Sequence, residues 1–384
     1  MVADSVRYHS RLIFESYVNE VCLDYALKEK ILANVRQADA LPNYKIVSTF
    51  FLFKKYGLII PYTLRLFSIF VIPMLLLISL SLNLILSVLF FVFPFQKNIS
   101  DLPKEILLPV DNNFKLFRYL YDDFDSRLYF VCKRPATYIM YFSAGDFLKS
   151  FQIVVSVLVR IIMFRNTRQV RRKDLVFHVI DLIPISWLSL FIQKLTTEEK
   201  TFITDCNLQR WSYLLTHMTT NCSLIQHAYI HKGLQFDYSF GSVSYLYVFD
   251  PVFKSDFTDY YQVENIGIIR PTYELATFQS EKKVLFLASS APFMNFELRF
   301  LQFIRHHYDF YIIVKLHPFH IYDASISKLT ILADIVIEKD VFPDCDYMVS
   351  YDSFLGFEYK SMGKNVHFLK DGKWEDYFTA PPPP

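Results

Sequence analysis

Glycine is scarce, 8 of 384 residues. No G-x-G-x-x-G follows an apolar run, and no G-x-x-x-x-G-K-[S/T] occurs anywhere, which excludes a dinucleotide fingerprint and a P-loop. No organic cofactor is therefore expected. The five cysteines (Cys22, Cys132, Cys206, Cys222, Cys345) show no C-x-x-C spacing. They read as reduced thiols, not as a disulfide framework or a zinc site. His306 and His307 are adjacent in a helical stretch, point to different faces, and make a poor metal pair. An excess of one charge is also missing: 40 Lys and Arg against 38 Asp and Glu leave +2, so bulk charge does not point to nucleic acid. No signal peptide is expected, because the first fifty residues are charged and mixed.

What is abundant is apolar. The chain is 53% hydrophobic and 18% aromatic, and its length suits two domains of ordinary size. Residues 5–40 carry Val6, Leu12, Ile13, Val18, Val21, Leu27, Ile31 and Leu32 at roughly helical spacing, and 1–55 is read as an N-terminal helical segment packed on the main body. From Leu66 to Phe95 there is no charge. This exceeds the roughly 20 residues that span a bilayer, so 56–97 is read as membrane-associated, crossing or re-entrant. Lys45, Lys54, Lys55 and Arg65 place its start in the cytoplasm, and Pro73 is the expected break of a hairpin returning to that side.

Residues 98–270 are expected to form a first α/β domain. The strands are read at Glu105–Val110, Leu128–Cys132, Tyr138–Phe142, Leu175–Ile180, Thr201–Thr204, Ser223–Gln226 and Tyr245–Phe249, with a helix at Leu116–Tyr121. Phe151–Phe164 is apolar but too short to span. The cluster Arg165, Arg168, Arg171, Arg172 and Lys173 beside it suits an anionic bilayer surface; no aromatic-interleaved basic platform for nucleic acid accompanies it. Residues 262–282 read as the connection between domains.

Residues 271–372 are expected to form a second α/β domain, and the proline run within 373–384 a disordered tail. After a strand at Lys283–Ser290 and a helix at Asn295–His307, three short apolar runs follow: Tyr311–Val314, Ile335–Ile337 and Tyr347–Ser350. Polar residues gather just after them, Lys315, His317 and Pro318 after the first, Tyr351, Asp352 and Ser353 after the third. Ligands of open parallel sheets sit outside the carboxyl ends of the strands, so these positions are site candidates.

Lys315-Leu316-His317-Pro318 resembles the K-x-H-P motif of bacterial glycosyltransferases of the GT-B fold, and Ser353…Glu358…Gly363-Lys364 resembles their S-S-x-x-x-x-E segment. Polysialyltransferases, capsule Kdo transferases and CDP-glycerol glycerophosphotransferases carry versions of this pair. Gln226-His227-Ala228, followed by Lys232, is similar to the histidine loop of the same groups, with Ala228 in place of glycine. The resemblance covers roughly residues 200–370. It implies two Rossmann-like domains facing a cleft: an acceptor domain with Gln226, His227 and Lys232, and a nucleotide-donor domain with Lys315, His317, Pro318, Ser353, Phe354 and Glu358.

The expected activity is metal-independent transfer of a sugar from a nucleotide-activated donor, with CMP-linked sugars favoured, to a lipid-linked or polysaccharide acceptor. This would serve bacterial surface-polysaccharide synthesis at the cytoplasmic face of the inner membrane. His317 would donate to the leaving phosphate, with Lys315 and the amides of Phe354 and Leu355 adding positive potential. Glu358 would accept from ribose or sugar hydroxyls. His227 is the first candidate for the base at the acceptor hydroxyl and Asp205 the second. Asp344-Cys345-Asp346 has D-x-D spacing but precedes an apolar run and reads as a turn. A CDP-glycerol-type glycerophosphotransferase and a non-catalytic membrane-anchored assembly protein are the alternatives.

Overall fold

The structure, a computed structural model, describes residues 2–37, 60–93, 96–110, 114–167, 170–205, 208–227, 233–271, 274–290, 293–316, 324–337, 341–372 and 374. The side chains of residues 2–3, 27–37, 60–72, 75–76, 173, 176–177, 180 and 324–326 are outside that description. His317, Pro318, Lys232, Arg168 and the tail 375–384 also lie outside the described residues. The chain divides into two compact units, one of residues 1–26 and 57–269, the other of residues 27–56 and 270–384.

The chain opens with one helix, α1 (Val2–Gln37), of which residues up to Ala26 belong to the first unit. Leu12, Ile13, Tyr17, Val18 and Val21 form its buried stripe. Polar side chains also fasten it: Tyr17 donates to Asp181 and Asn19 to the Tyr238 carbonyl, while Glu20 accepts from the Arg210 amide. Helix α2 (Ile60–Val92) then runs continuously through Pro73, so no reversal forms there. A proline removes one backbone bond and bends a helix, which is less than a hairpin requires. Among the described residues no helix is long and apolar enough to cross a membrane. α3 (Ala144–Met163) starts seven residues before the apolar run, because Ser143 and Asp146 form a capping box. α4 (Leu182–Thr197) and α5 (Arg210–Met218) follow.

The sheet of this unit has five parallel strands, β1 (Glu105–Leu107), β2 (Thr201–Thr204), β3 (Cys222–Ile225), β4 (Ser242–Val248) and β5 (Gln262–Ile268), hydrogen-bonded in that order. Phe202, Ile203, Leu224, Ile225 and Leu246 are buried, as expected of parallel strands covered on both faces. Three expected strands do not form. Residues 128–132 make only a single bridge, Tyr129 to Leu107. Residues 138–142 coil into a 3-10 turn whose Tyr138 stacks on Phe191 and bonds the Cys132 and Pro184 carbonyls. Residues 175–180 form a 3-10 turn leading into α4. In each case the apolar run takes another local structure and forms no strand of the sheet. Conversely, Gln262–Ile268, expected as connection, is strand β5.

The second unit has the strands β6 (Val284–Ala288), β7 (Tyr311–Lys315), β8 (Ile335–Ile337), β9 (Tyr347–Ser350) and β10 (Val366–Phe368), all parallel in the order β10-β9-β6-β7-β8. Its helices are α6 (Met294–His307), α7 (Ala324–Leu332) and α8 (Phe354–Ser361). Leu285, Leu287, Ile312 and Val314 pack with Phe300, Leu301 and Ile304 of α6 and Leu329 of α7. Phe286, Ile313 and Met348, on the opposite pleat, pack with Tyr359 of α8. Helices therefore cover both faces. Since β7 lies on one side of β6 and β9 on the other, the strand order reverses between β6 and β9. Such a switch point opens a crevice outside the carboxyl ends of those strands.

Candidate functional site

In the first unit the carboxyl ends of β2 and β3 bring Asp205 and His227 together. Asp205 follows the buried Thr204, and its side chain is only 2% exposed. One carboxylate oxygen accepts from the Val110 amide at 2.8 Å, the other lies 3.3 Å from His227 Nδ1. The Val110 bond aims the carboxylate, and the carboxylate aims the ring. The His227 side chain is 44% exposed. With Nδ1–H donated to Asp205, Nε2 is the basic nitrogen of the ring. The two sequence candidates for one role thus form a single unit, an orienting acid behind a half-exposed imidazole. Gln226 turns the other way: it is buried, and its Oε1 accepts from the Phe249 amide at 3.1 Å, tying the ends of β3 and β4.

In the second unit the polar residues at the strand ends bond chiefly to the scaffold. Lys315 Nζ donates to the Val341 carbonyl at 2.6 Å and sits 4.4 Å from the Phe342 ring centroid. Its charge holds the loop leading into β9. Ser353 is the N-cap of α8, its Oγ accepting from the Leu355 amide at 3.3 Å. Phe354 begins that helix and Glu358 is buried on it. Gly363, at φ +80°, stops the helix in the left-handed conformation that glycine adopts without strain. The neighbouring Lys364 pairs with Asp344. Asp346 accepts from the Val284 amide, so both acids of the D-x-D spacing are engaged at the amino end of the sheet.

Glu297, in the first turn of α6, was not legible as a site residue. It is fully buried beneath the switch point, where it accepts from Ser289 Oγ at 2.6 Å and from the Ser290 amide at 2.7 Å. The Tyr351 backbone at the end of β9 donates to it as well. One carboxyl thus spans the ends of β6 and β9. Burial pushes it up to about 8, and the nearby Asp352 acts in the same direction. Asp352 is itself raised by burial, with Lys370 opposing. Tyr351 stacks on Phe293 with ring centroids 3.7 Å apart, both buried in the core of this unit. The sequence signal was two serines after a strand followed by an acid in the next helical turn.

Among the described residues no group of three or more His, Cys, Asp or Glu is disposed to hold a metal ion. Arg165, Arg171 and Arg172 are exposed beyond the end of α3, and the backbone of Lys173 lies in the short helix Arg172–Leu175. No protein-family model matches this chain, and no curated protein matches it.

Proposed function

We propose that this chain is a membrane-associated, GT-B-like glycosyltransferase that uses a nucleotide-activated sugar. The single observation that carries the reading is the Asp205–His227 pair at the carboxyl edge of a parallel sheet. In the proposed reaction His227 Nε2 takes the proton of the acceptor hydroxyl as its oxygen bonds the anomeric carbon. The bond from that carbon to the donor phosphate oxygen breaks, and the nucleotide leaves with the electron pair. Asp205 stabilises the imidazolium that forms. On this reading the second unit binds the donor. The switch point between β6 and β9 is where a parallel sheet takes a ligand, and His317 is assigned to the leaving phosphate on the sequence resemblance. The acceptor is a lipid-linked or polysaccharide hydroxyl, and a CMP-activated sugar is the favoured donor.

The test is transfer by purified full-length protein with CMP-, CDP-, UDP- and GDP-activated donors, read by product mass. Transfer from one donor class, lost in His227→Ala at unchanged melting temperature, supports the proposal. A product carrying glycerophosphate in place of a sugar, or transfer that survives His227→Ala, defeats it.

A further inference from the structure

Helix α2 is inside out. Ser79, Asn83 and Ser87, spaced i, i+4, i+8, are buried, while Leu77, Ile78, Leu80, Leu84, Ile85, Val88, Leu89, Phe91 and Val92 are exposed. Among the described residues from 77 to 93, Ser81 is the only exposed polar one. The buried stripe is bonded inward. Asn83 donates to the Ser79 carbonyl at 2.8 Å and accepts from Trp187 Nε1 of α4 at 3.0 Å. Ser87 Oγ donates to the Ala144 carbonyl at 3.0 Å, and Ser150 of α3 meets Ser186 of α4 at 2.7 Å. A helix on a water-facing domain has the opposite arrangement. Small and polar residues at the contacts between helices, with large apolar residues outward, are the pattern of helices packed in lipid.

Helix α3 adds to this surface. Leu148, Val159, Ile162 and Met163 are exposed along one stripe of it. Beyond Met163 stand the exposed Arg165, Arg171 and Arg172, and the Arg172 guanidinium donates to the Phe164 carbonyl, which anchors the basic group at the apolar edge. A protein partner would ordinarily meet a polar rim and several hydrogen bonds. Apart from Ser81 on α2 and Gln152 on α3, the exposed side chains of these two stripes are apolar, edged by positive charge, and that is complementary to acyl chains beneath anionic headgroups.

We propose that the outer face of α2 and α3 is embedded in the hydrocarbon of an anionic bilayer, with Arg165 and Arg171 at the headgroups. The proposal does not depend on the transferase reading. Its test is flotation of the full-length chain with phosphatidylcholine vesicles, with and without phosphatidylglycerol. Wild type floats with both and more tightly with the anionic ones. Leu84→Glu with Val88→Glu lowers partitioning by ~100-fold, since each charge must enter at membrane depth. Arg165→Ser with Arg171→Ser lowers binding to the anionic vesicles alone, by ~30-fold.

Should the glutamate variant fail to fold, Val88→Trp decides. Lipids brominated on the acyl chains quench its added fluorescence if position 88 lies in hydrocarbon. Added fluorescence that these lipids leave unquenched overturns the proposal. So does wild type that stays with the aqueous fraction as a discrete dimer which the glutamates dissociate, because a second copy then covers the face. An arginine variant that keeps the wild-type preference for anionic vesicles removes the headgroup contact from the proposal.

Discussion

The two five-stranded parallel sheets treat the polar residues at their strand ends in opposite ways. In the first, β1 to β5 succeed one another without reversal, so topology opens no crevice, yet Asp205 and His227 form an outward-directed pair. In the second, topology does open a crevice between β6 and β9, yet Lys315, Ser353 and Glu297 all bond to the scaffold around it. A polar residue after a parallel strand is therefore not a site by position. What separates the cases is direction: His227 presents a ring to solvent with its other side held, whereas Lys315 spends its ammonium on a carbonyl and a ring face.

The comparison breaks first at His227. If the first sheet supplies the base, His227→Ala lowers kcat by roughly 10²–10⁴-fold, the usual worth of a positioned general base. Melting changes little, because the ring is half exposed. Asp205→Asn also lowers kcat, by leaving the imidazole without its anionic partner. It also destabilises the fold if the new amide turns its NH₂ toward the Val110 N–H. A wild-type rate in His227→Ala would make both sheets scaffold.

The second comparison concerns pH. Glu297 has a folded value of about 8 against 4.5 for a free carboxyl. Between those values the folded chain keeps a proton that the unfolded chain has released. Its contribution to stability therefore falls as pH rises from about 4.5 to about 8. Asp352, raised by burial, acts with the same sign, and His367, lowered by burial, acts oppositely. The difference between wild type and Glu297→Gln isolates Glu297. The two melt together near pH 5, and the variant melts higher at pH 8, by roughly 5 °C or more. Parallel melting curves across that range would mean that Glu297 stays ionised, held by its three donors.

The second sheet was largely legible because each of its first four strands is a short apolar run of parallel-sheet length, bounded by polar or helical segments. β10 was missed: Val366-His367-Phe368 is three residues long and only half buried. The first sheet was less legible. Leu175–Ile180 and Tyr138–Phe142 have strand composition, but aromatic stacking on Phe191 and the entry to α4 took them as turns. Short runs cannot reveal that competition. Asp205 and His227 were both found as candidates, although 22 positions apart. Their contact requires β2 and β3 to be neighbours in register, which no local pattern contains. The uncharged run was plain, and its inward stripe, Ser79, Asn83 and Ser87, was already present at helical spacing. Only packing shows that these polar residues are the buried ones.

A smaller effect is expected at Lys315. Lys315→Met removes a charged donor from the Val341 carbonyl and should destabilise by about 1.5–3 kcal/mol, with donor KM unchanged. A raised KM at unchanged stability would return Lys315 to the donor side and make the second sheet resemble the first. Urea melts and donor saturation on the same preparation read both quantities.

The smallest effect separates two roles of one hydroxyl. Ser353 Oγ caps α8, and a serine there could equally bind a donor phosphate. As a cap, Ser353→Ala should lower stability by about 1 kcal/mol, while Ser353→Gly lowers it by only a few tenths, because glycine is itself an accepted N-cap. As a phosphate ligand, the hydroxyl is lost equally in both variants, and donor KM rises equally in both. The φ of −64° and ψ of 138° at Ser353 are open to all three residues, so neither change strains the backbone. The scaffold role predicts alanine below glycine in stability, with donor KM the same in both. If glycine and alanine instead weaken donor binding alike, Ser353 turns outward when the donor is present, and the cap in the free chain is its resting contact.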